Sequence, residues 1–435
     1  MHKFTRLSTF LSSAFRRDAV APEAFADIAL PPLARVAGET LTGDTCEQLE
    51  LPSCDETEEE RLRAEYTARG QFLARQDCWA DLDVQIRNAD ASRRATPGGT
   101  SLAGLLARGA RKDAVQSALT DIANGQPLRR GGIDALEDLV EDHPGCWGVA
   151  LVVARAHMDI GWGYLGRPMG GRPQDGRQAD SAQFDHHVAR AAALLEPYCA
   201  LELDSPELAA AACDLALAEA APGAQSADML MDAYEDVIDL DPHNPAHPRA
   251  MGPLLLPRWF GSYERLDQQA RDTAKRTADI WEDGGYAAVW TEALATDPEA
   301  AAHVDVALFI EGLHDILDQR PDQHTANRFA AFAALTMAPG AAPGDISRAA
   351  RDNRATIHAA AGWILRHHLR ELHPIVWADA ALPLSDTRPT PSRSARITQG
   401  TLLARRAISA QFAREIAAGQ RITFSPLGLN LQPMA

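Results

Sequence analysis

YEDVIDLDPHNPAHPRAMGPLLLPRWFGSYERL, residues 234–266, decides how this chain is read. Tyr234, Val237 and Ile238 fall three and four apart, the spacing that puts side chains on one face of a helix. Pro242 stops that helix, because proline has no N–H to donate and its ring meets the preceding turn. A proline-punctuated turn, a short apolar stretch and a tight Pro257-Arg258-Trp259 corner follow, leading into another helix. Gly261 permits the turn, Ser262 is the N-cap, and Glu264 complements the first turn of that helix.

Working outward, the first phrase recurs. LEDLVEDHP (136–144), YEDVIDLDP (234–242), WTEALATDP (290–298) and LHDILDQRP (313–321) align without gaps. Each has a large apolar residue, an apolar residue three on, another beside it and a proline eight after the first. Each therefore reads as a helix that packs one face on a neighbour and then turns sharply. The composition agrees. Alanine is abundant, aromatic residues make up 6%, and no long run alternates apolar with polar, so strands are disfavoured and the chain reads as all-α. At 435 residues it exceeds one ordinary core, which leaves two domains or one extended solenoid.

The phrase YEDVIDLDPHNP resembles the second helix and closing turn of a tetratricopeptide repeat, with Leu217-Ala218 in the place of the packing pair of that repeat's first helix. Leu230 and Val237 stand where the repeat has small residues, and the phrase spacings are irregular where the repeat has 34 residues, so the array is divergent. Residues 133–298 also resemble an uncharacterised bacterial family of helix pairs with a Pro-(Arg/Lys)-Trp-Gly-Gly-Ser corner, here 257–262 with Phe260 in place of the first glycine. The resemblance implies an α-α superhelix (solenoid) of irregular tetratricopeptide-like hairpins. The expected organisation is an arm or linker over 1–57, helical pairs over 58–123, a repeat core over 131–340, a basic helical region over 341–420 and a tail over 421–435. Within it, 101–109 and 112–122 read as a compact helical pair, 262–283 and 398–418 as single helices, and the tail as a segment that lies along the helices or stays loose.

A net charge of −18 argues against nucleic-acid binding, which needs cations to displace phosphate counterions. The charge is uneven. Residues 39–60 carry acids and no Lys or Arg, whereas 346–421 carry twelve arginines. Either these are solvated faces, or the two ends face different partners or each other. No run of about 18 apolar residues is present to span a membrane. Residues 1–17, MHKFTRLSTFLSSAFRR, lack a cleavage site, and read as a frayed terminus or as a weak basic contact with a membrane or partner. Six cysteines without a C-x-x-C pair fit a reducing, cytoplasmic setting.

Candidate chemistry is thin. Gly161-Trp-Gly-Tyr-Leu-Gly166 spells G-x-G-x-x-G, but a helix precedes it where the dinucleotide fingerprint needs a strand. His243 and His247 lie in a turn, His186-His187 and His367-His368 are adjacent, and no H-E-x-x-H occurs. Cys46 and Cys54 sit in the acidic arm, as a chelating or redox pair or as an unstructured one. No catalytic residue, metal or cofactor is assigned. Arg258, Trp259 and Tyr263 are the candidate binding residues: Arg258 and Trp259 either plug the gap between hairpins or hold a partner carboxylate on a concave face. The expected role is a non-catalytic scaffold that holds a peptide or partner protein in the groove. The alternative is an enzyme, or an enzyme accessory domain, with a site in the loop between Gly161 and Gly176 and at the turn holding His243 and His247.

Overall fold

Thr57 opens the helical part of the chain with a capping box: its hydroxyl accepts from the Glu60 N–H while the Glu60 carboxylate accepts from the Thr57 N–H. The structure, a computed structural model of the chain, describes residues 48–128, 131–165, 180–220, 224–342, 344–382 and 391–433. The expectations for 1–17, Cys46 and the part of the 161–176 loop from 166 onward lie outside the described residues. In chain order the first helices are α1 (Glu58–Arg75), α2 (Trp79–Ala91), α3 (Leu102–Ala123), α4 (Ile133–Asp142), α5 (Trp147–Tyr164), α6 (Ser181–Leu195), α7 (Pro206–Glu219) and α8 (Ala224–Leu240). Then come α9 (Ala246–Met251), α10 (Tyr263–Arg276), α11 (Ala278–Trp281), α12 (Gly284–Thr296), α13 (Val306–Gln319), α14 (Gln323–Ala331), α15 (Arg348–Ala359), α16 (Ala361–His367), α17 (Pro374–Ala380), α18 (Arg393–Gln411) and α19 (Ala413–Ala417). Short strands β1 (Leu49–Glu50), β2 (Gln420–Ser425) and β3 (Gly428–Pro433) complete the described elements. The chain is mostly helical, as its composition requires, and among the described residues no helix is long and apolar enough to cross a membrane.

The four proline phrases end helices. α4, α8, α12 and α13 stop at Asp142, Leu240, Thr296 and Gln319, each two residues before its proline. Elsewhere the boundaries differ from the sequence reading. The expected pair over 101–122 is one continuous helix, α3. Gly109 does not break it because α1 crosses there at backbone contact: a Cβ on Gly109 would lie 2.0 Å from the Thr67 carbonyl oxygen, and one on Gly70 would lie 2.0 Å from that of Leu106. The helix expected over 262–283 is interrupted at Thr277, whose hydroxyl donates back to the Thr273 carbonyl, and resumes as α11. The last helix breaks at Phe412 into α18 and α19.

Among the described residues most buried apolar side chains gather in two cores, with a smaller cluster of Leu165, Phe184, Val188 and Ala218. One, built on α1–α7, holds Leu82, Ile86, Leu105, Leu106 and Val149; the other, from α7 onward, holds Tyr286, Trp290, Phe309, Phe329, Trp377 and Phe412. Each such fully buried side chain contributes roughly 1.5–3 kcal/mol. α7 is the shared wall, giving Leu208 and Ala211 to the first core and Ala209, Cys213 and Leu217 to the second.

The segment 421–435 is not a loose tail. Through Pro433 it forms β2 and β3, an antiparallel hairpin with Ile422 opposite Leu431, and β1 from the far end of the chain pairs in parallel with β2. Alternation is the physical reason, since Ile422 and Phe424 face the core at 0% and 1% exposure while Thr423 and Ser425 do not. The described part of the arm is likewise ordered. Leu49 and Leu51 are buried, Arg421 pairs with Glu50 at 3.4 Å, and Arg393 pairs with Glu60 at 3.1 Å. Two described acids of the arm, Glu50 and Glu60, therefore meet arginines of the arginine-rich region.

Candidate functional site

The corner at 257–262 docks on the next helix pair. Gly261 is needed because a Cβ there would lie 2.4 Å from the Leu255 carbonyl oxygen. Ser262 caps α10, accepting from the Arg265 N–H at 3.2 Å. Arg258 donates to the Thr296 carbonyl at the end of α12, and Trp259 is half-buried against the larger core. The Tyr263 hydroxyl donates to Asp297 at 3.0 Å, and its ring stacks on His303 with centroids 4.1 Å apart. Burial and that hydrogen bond push the Tyr263 phenol up to about 12. Arg258 and Tyr263 thus both engage the junction between α12 and the 3-10 turn Pro298–Ala302, while Trp259 packs on the larger core.

The His243–His247 turn is also docked. Asn244 donates to the Gly99 carbonyl at 3.1 Å, Arg249 donates to that of Gly98 at 2.6 Å, and His247 Nε2 lies 3.3 Å from the Asp241 carboxylate. Asp90, Arg93, Arg94, Glu207, Asp241 and His247 border a small surface cleft. Asp90 caps α7, accepting from the Glu207 N–H at 2.9 Å. Burial dominates its titration and raises the carboxyl to about 6, with Ser205 opposing and Glu207 reinforcing the shift. Arg93 and Asp204 both hold positive φ, 51° each, a conformation that disfavours residues with a Cβ. Arg93 is held there by donating to the Asp204 side chain at 2.5 Å and to the Leu240 carbonyl at 3.0 Å.

Near the start of the 161–176 loop, His157 and His187 are buried with their Nδ1 atoms 2.9 Å apart, and His157 Nε2 meets Glu137 at 3.1 Å. Burial lowers both imidazoles, His187 to about 4, with the neighbouring histidines adding to the effect on it. One of the two must present N–H and the other a lone pair at the shared contact.

A further cluster joins the two ends of the chain. A parallel bridge pairs Ser53 with Leu372, through Cys54 N–H to the Leu372 carbonyl at 2.8 Å and Leu372 N–H to the Pro52 carbonyl at 2.7 Å. Side chains alternate along extended backbone, so those of Cys54, Glu371 and His373 fall on the face opposite Ser53 and Leu372. One ligand atom from each of the three lies within 4.8 Å of the other two. His373 Nε2 is 3.1 Å from Glu371 Oε1, and the His373 ring is 5% exposed with Nδ1 unpartnered. Burial raises the Cys54 thiol, and Glu371 and Asp55 add to that. His324 packs beside His373 with ring centroids 6.4 Å apart, and its Nδ1 is also buried without a partner. Burial lowers the His324 imidazole even though Glu59 is near. At Glu59 burial works to raise the carboxyl, but Arg63 and His324 outweigh it and hold it low. Glu59 accepts from the Gly98 N–H at 2.6 Å, so one polar seam runs from Cys54 through the 96–100 loop to His247.

Sequence reasoning did not group Cys54, Glu371 and His373, since no spacing rule links opposite ends of a chain. Comparisons with protein-family models, with curated proteins and with solved structures find no match for this chain.

Proposed function

We propose that the chain is a non-catalytic protein-interaction scaffold, an α-α superhelix of divergent tetratricopeptide-like hairpins that holds a peptide or partner protein in its concave groove. The observation that carries this reading is a recurring offset in the polar contacts between helices. In a stacked array equivalent side chains of successive hairpins are neighbours, so contacts recur near the repeat length, 34 residues in the tetratricopeptide case. Gln269 donates to Glu235 at 2.9 Å, Tyr263 to Asp297 at 3.0 Å and Arg271 to Asp305 at 3.1 Å, and each pair is 34 residues apart. Arg276 meets Asp239 at an offset of 37, and Arg328 meets Glu292 at 36. Across residues 235–328 such contacts span offsets of 32 to 41, with three at 34, which supports a period near the repeat length where the sequence phrases are irregular. On this reading Arg258, Trp259 and Tyr263 are the keystone at the rim of the groove, and the setting is the reducing cytoplasm.

Tagged full-length chain recovered from its own cells tests the reading. We expect a stoichiometric partner that rebinds when purified and slows amide exchange on consecutive helices. A chain that elutes alone under several growth conditions overturns it.

A second reading, a ligand or enzymatic site at the His243–His247 turn, is favoured by the raised Asp90 carboxyl in the adjoining cleft. A ligand that raises the melting temperature of the parent but not of Asp90→Asn supports it. A shift of equal size in both removes it.

A further inference from the structure

We propose that Cys54, Glu371 and His373 form a zinc site that fastens the N-terminal segment to the C-terminal half of the chain. The donor set is chemically selective. Zn²⁺ accepts thiolate, imidazole and carboxylate together, whereas Ca²⁺ and Mg²⁺ take oxygen ligands and bind a sulfur-bearing site poorly. The grouping is set by the backbone pairing of the two segments and anchored by the buried His373. The Ser53–Leu372 bridge fixes both segments, and the alternation of extended chain turns the three donors to one side. Their mutual distance, within 4.8 Å, brackets the separation of ligands around one tetrahedral ion.

One observation besides the grouping bears on an added ligand. His373 is 5% exposed, its Nε2 lies 3.1 Å from Glu371 Oε1 and its Nδ1 has no partner. Buried polar atoms normally find partners, and a bound ion is one of the explanations when they do not. A divalent cation held by the three donors would take up the Cys54 sulfur as thiolate. Binding therefore releases one proton from the Cys54 sulfur and forms a metal–sulfur bond without redox change. Three protein ligands leave the fourth position of a tetrahedral zinc to water, the arrangement of zinc sites that do chemistry. This inference does not depend on the scaffold reading, and its test uses no partner.

The test titrates Co²⁺, then Zn²⁺, into full-length, reduced, chelator-treated chain. We expect one equivalent of Co²⁺ to bind with a thiolate-to-metal charge-transfer absorption and tetrahedral ligand-field bands, and Zn²⁺ to displace it. Cys54→Ser should abolish the charge-transfer band although the other cysteines remain. Glu371→Gln and His373→Gln should each weaken binding by at least about 10-fold, since even residues that only orient ligands are worth 10–100-fold. Zn²⁺ should also slow amide exchange at Ser53 and Cys54. Because His373 is buried, circular dichroism must first show its variant folded; Cys54 lies near the surface, so Cys54→Ser supplies the decision if it is not. No uptake, uptake without the charge-transfer band, or an unchanged spectrum in Cys54→Ser overturns the proposal.

Discussion

Replacing Gly70 or Gly109 by alanine sets two effects of opposite sign against each other. Both glycines lie inside helices, α1 and α3, where alanine is the better helix former by about 1 kcal/mol. Propensity alone thus predicts stabilisation. The crossing predicts the reverse, because the new methyl group would lie 2.0 Å from a backbone oxygen of the other helix, well inside the 3.0 Å that real Cβ atoms respect. The obstacle is backbone, so no rotamer change relieves it and the helices must part by about 1 Å, which forfeits a quarter to a half of the dispersion along the seam. Leu73, Leu105 and Leu106 pack in the core along this crossing. Overpacking of this kind costs about 1–3 kcal/mol, and the rigid partner places it at the upper end. The net expectation is a loss of about 2 kcal/mol for Gly70→Ala or Gly109→Ala. The double variant should lose less than the sum, since the helices part only once. Gly362 in α16 is the control, because a methyl group there meets only the Gln411 side chain at 3.7 Å. Gly362→Ala should be neutral or gain up to about 1 kcal/mol. Thermal unfolding followed by circular dichroism reads the difference, at roughly 2–4 °C per kcal/mol for a unit of 150–250 residues. If Gly70→Ala or Gly109→Ala melts at or above the parent temperature, the close crossing does not exist as described.

Trp290 is fully buried and its indole N–H has no partner. Trp290→Ala should lose about 3–5 kcal/mol, but Trp290→Phe much less, since removing the orphaned donor returns about 1–3 kcal/mol; urea unfolding that finds the two equally damaging refutes this account. Asp90 has a folded-state carboxyl raised from 3.8 to about 6, so its contribution is fully present below pH 3.8 and is lost as pH rises through about 6. The shift corresponds to at most about 3 kcal/mol, and Asp90→Asn should remove that sloping component from the difference in stability between parent and variant over pH 4–7. A slope equal to the parent's would exclude Asp90 as its source. Ile422 is buried and its N–H donates to the Gln48 carbonyl at 2.7 Å. Ile422→Ala should lose about 2–5 kcal/mol and speed amide exchange at 49–51; exchange that changes only within 420–425 argues against coupling of the two ends.

Several helix ends were legible because their chemistry is local. Ser262 accepts an N–H of the turn it was expected to cap, and Pro144, Pro242, Pro298 and Pro321 each follow a helix that has just stopped. Gly109 misled because a glycine that breaks a helix and one that lets two helices touch look the same in sequence. The β-hairpin was missed although Ile422, Phe424, Leu429 and Leu431 alternate with polar residues; six-residue strands carry little periodic signal, and their partner at Leu49 lies at the other end of the chain. Charge asymmetry was visible as composition, but composition does not say that Glu50 and Glu60 meet Arg421 and Arg393. The corner at 257–263 announced itself through Arg258 and Trp259, and the structure adds what they touch. Cys54, Glu371 and His373 were invisible as a group, because the bridge that unites them is set by the whole fold.

The parallel pairing of β1 with β2 also bears on how the chain is made. Thr423 donates to Glu50 at 2.9 Å across 373 residues of sequence, so the earliest described strand is synthesised 373 residues before its partner. At about 5–20 residues per second, Leu49 and Leu51 wait roughly 20–75 s on the ribosome before their partner strand exists. For that interval a sticky apolar edge is exposed on the nascent chain, which makes this segment the natural place for a chaperone to hold and for premature termination to leave an aggregation-prone fragment.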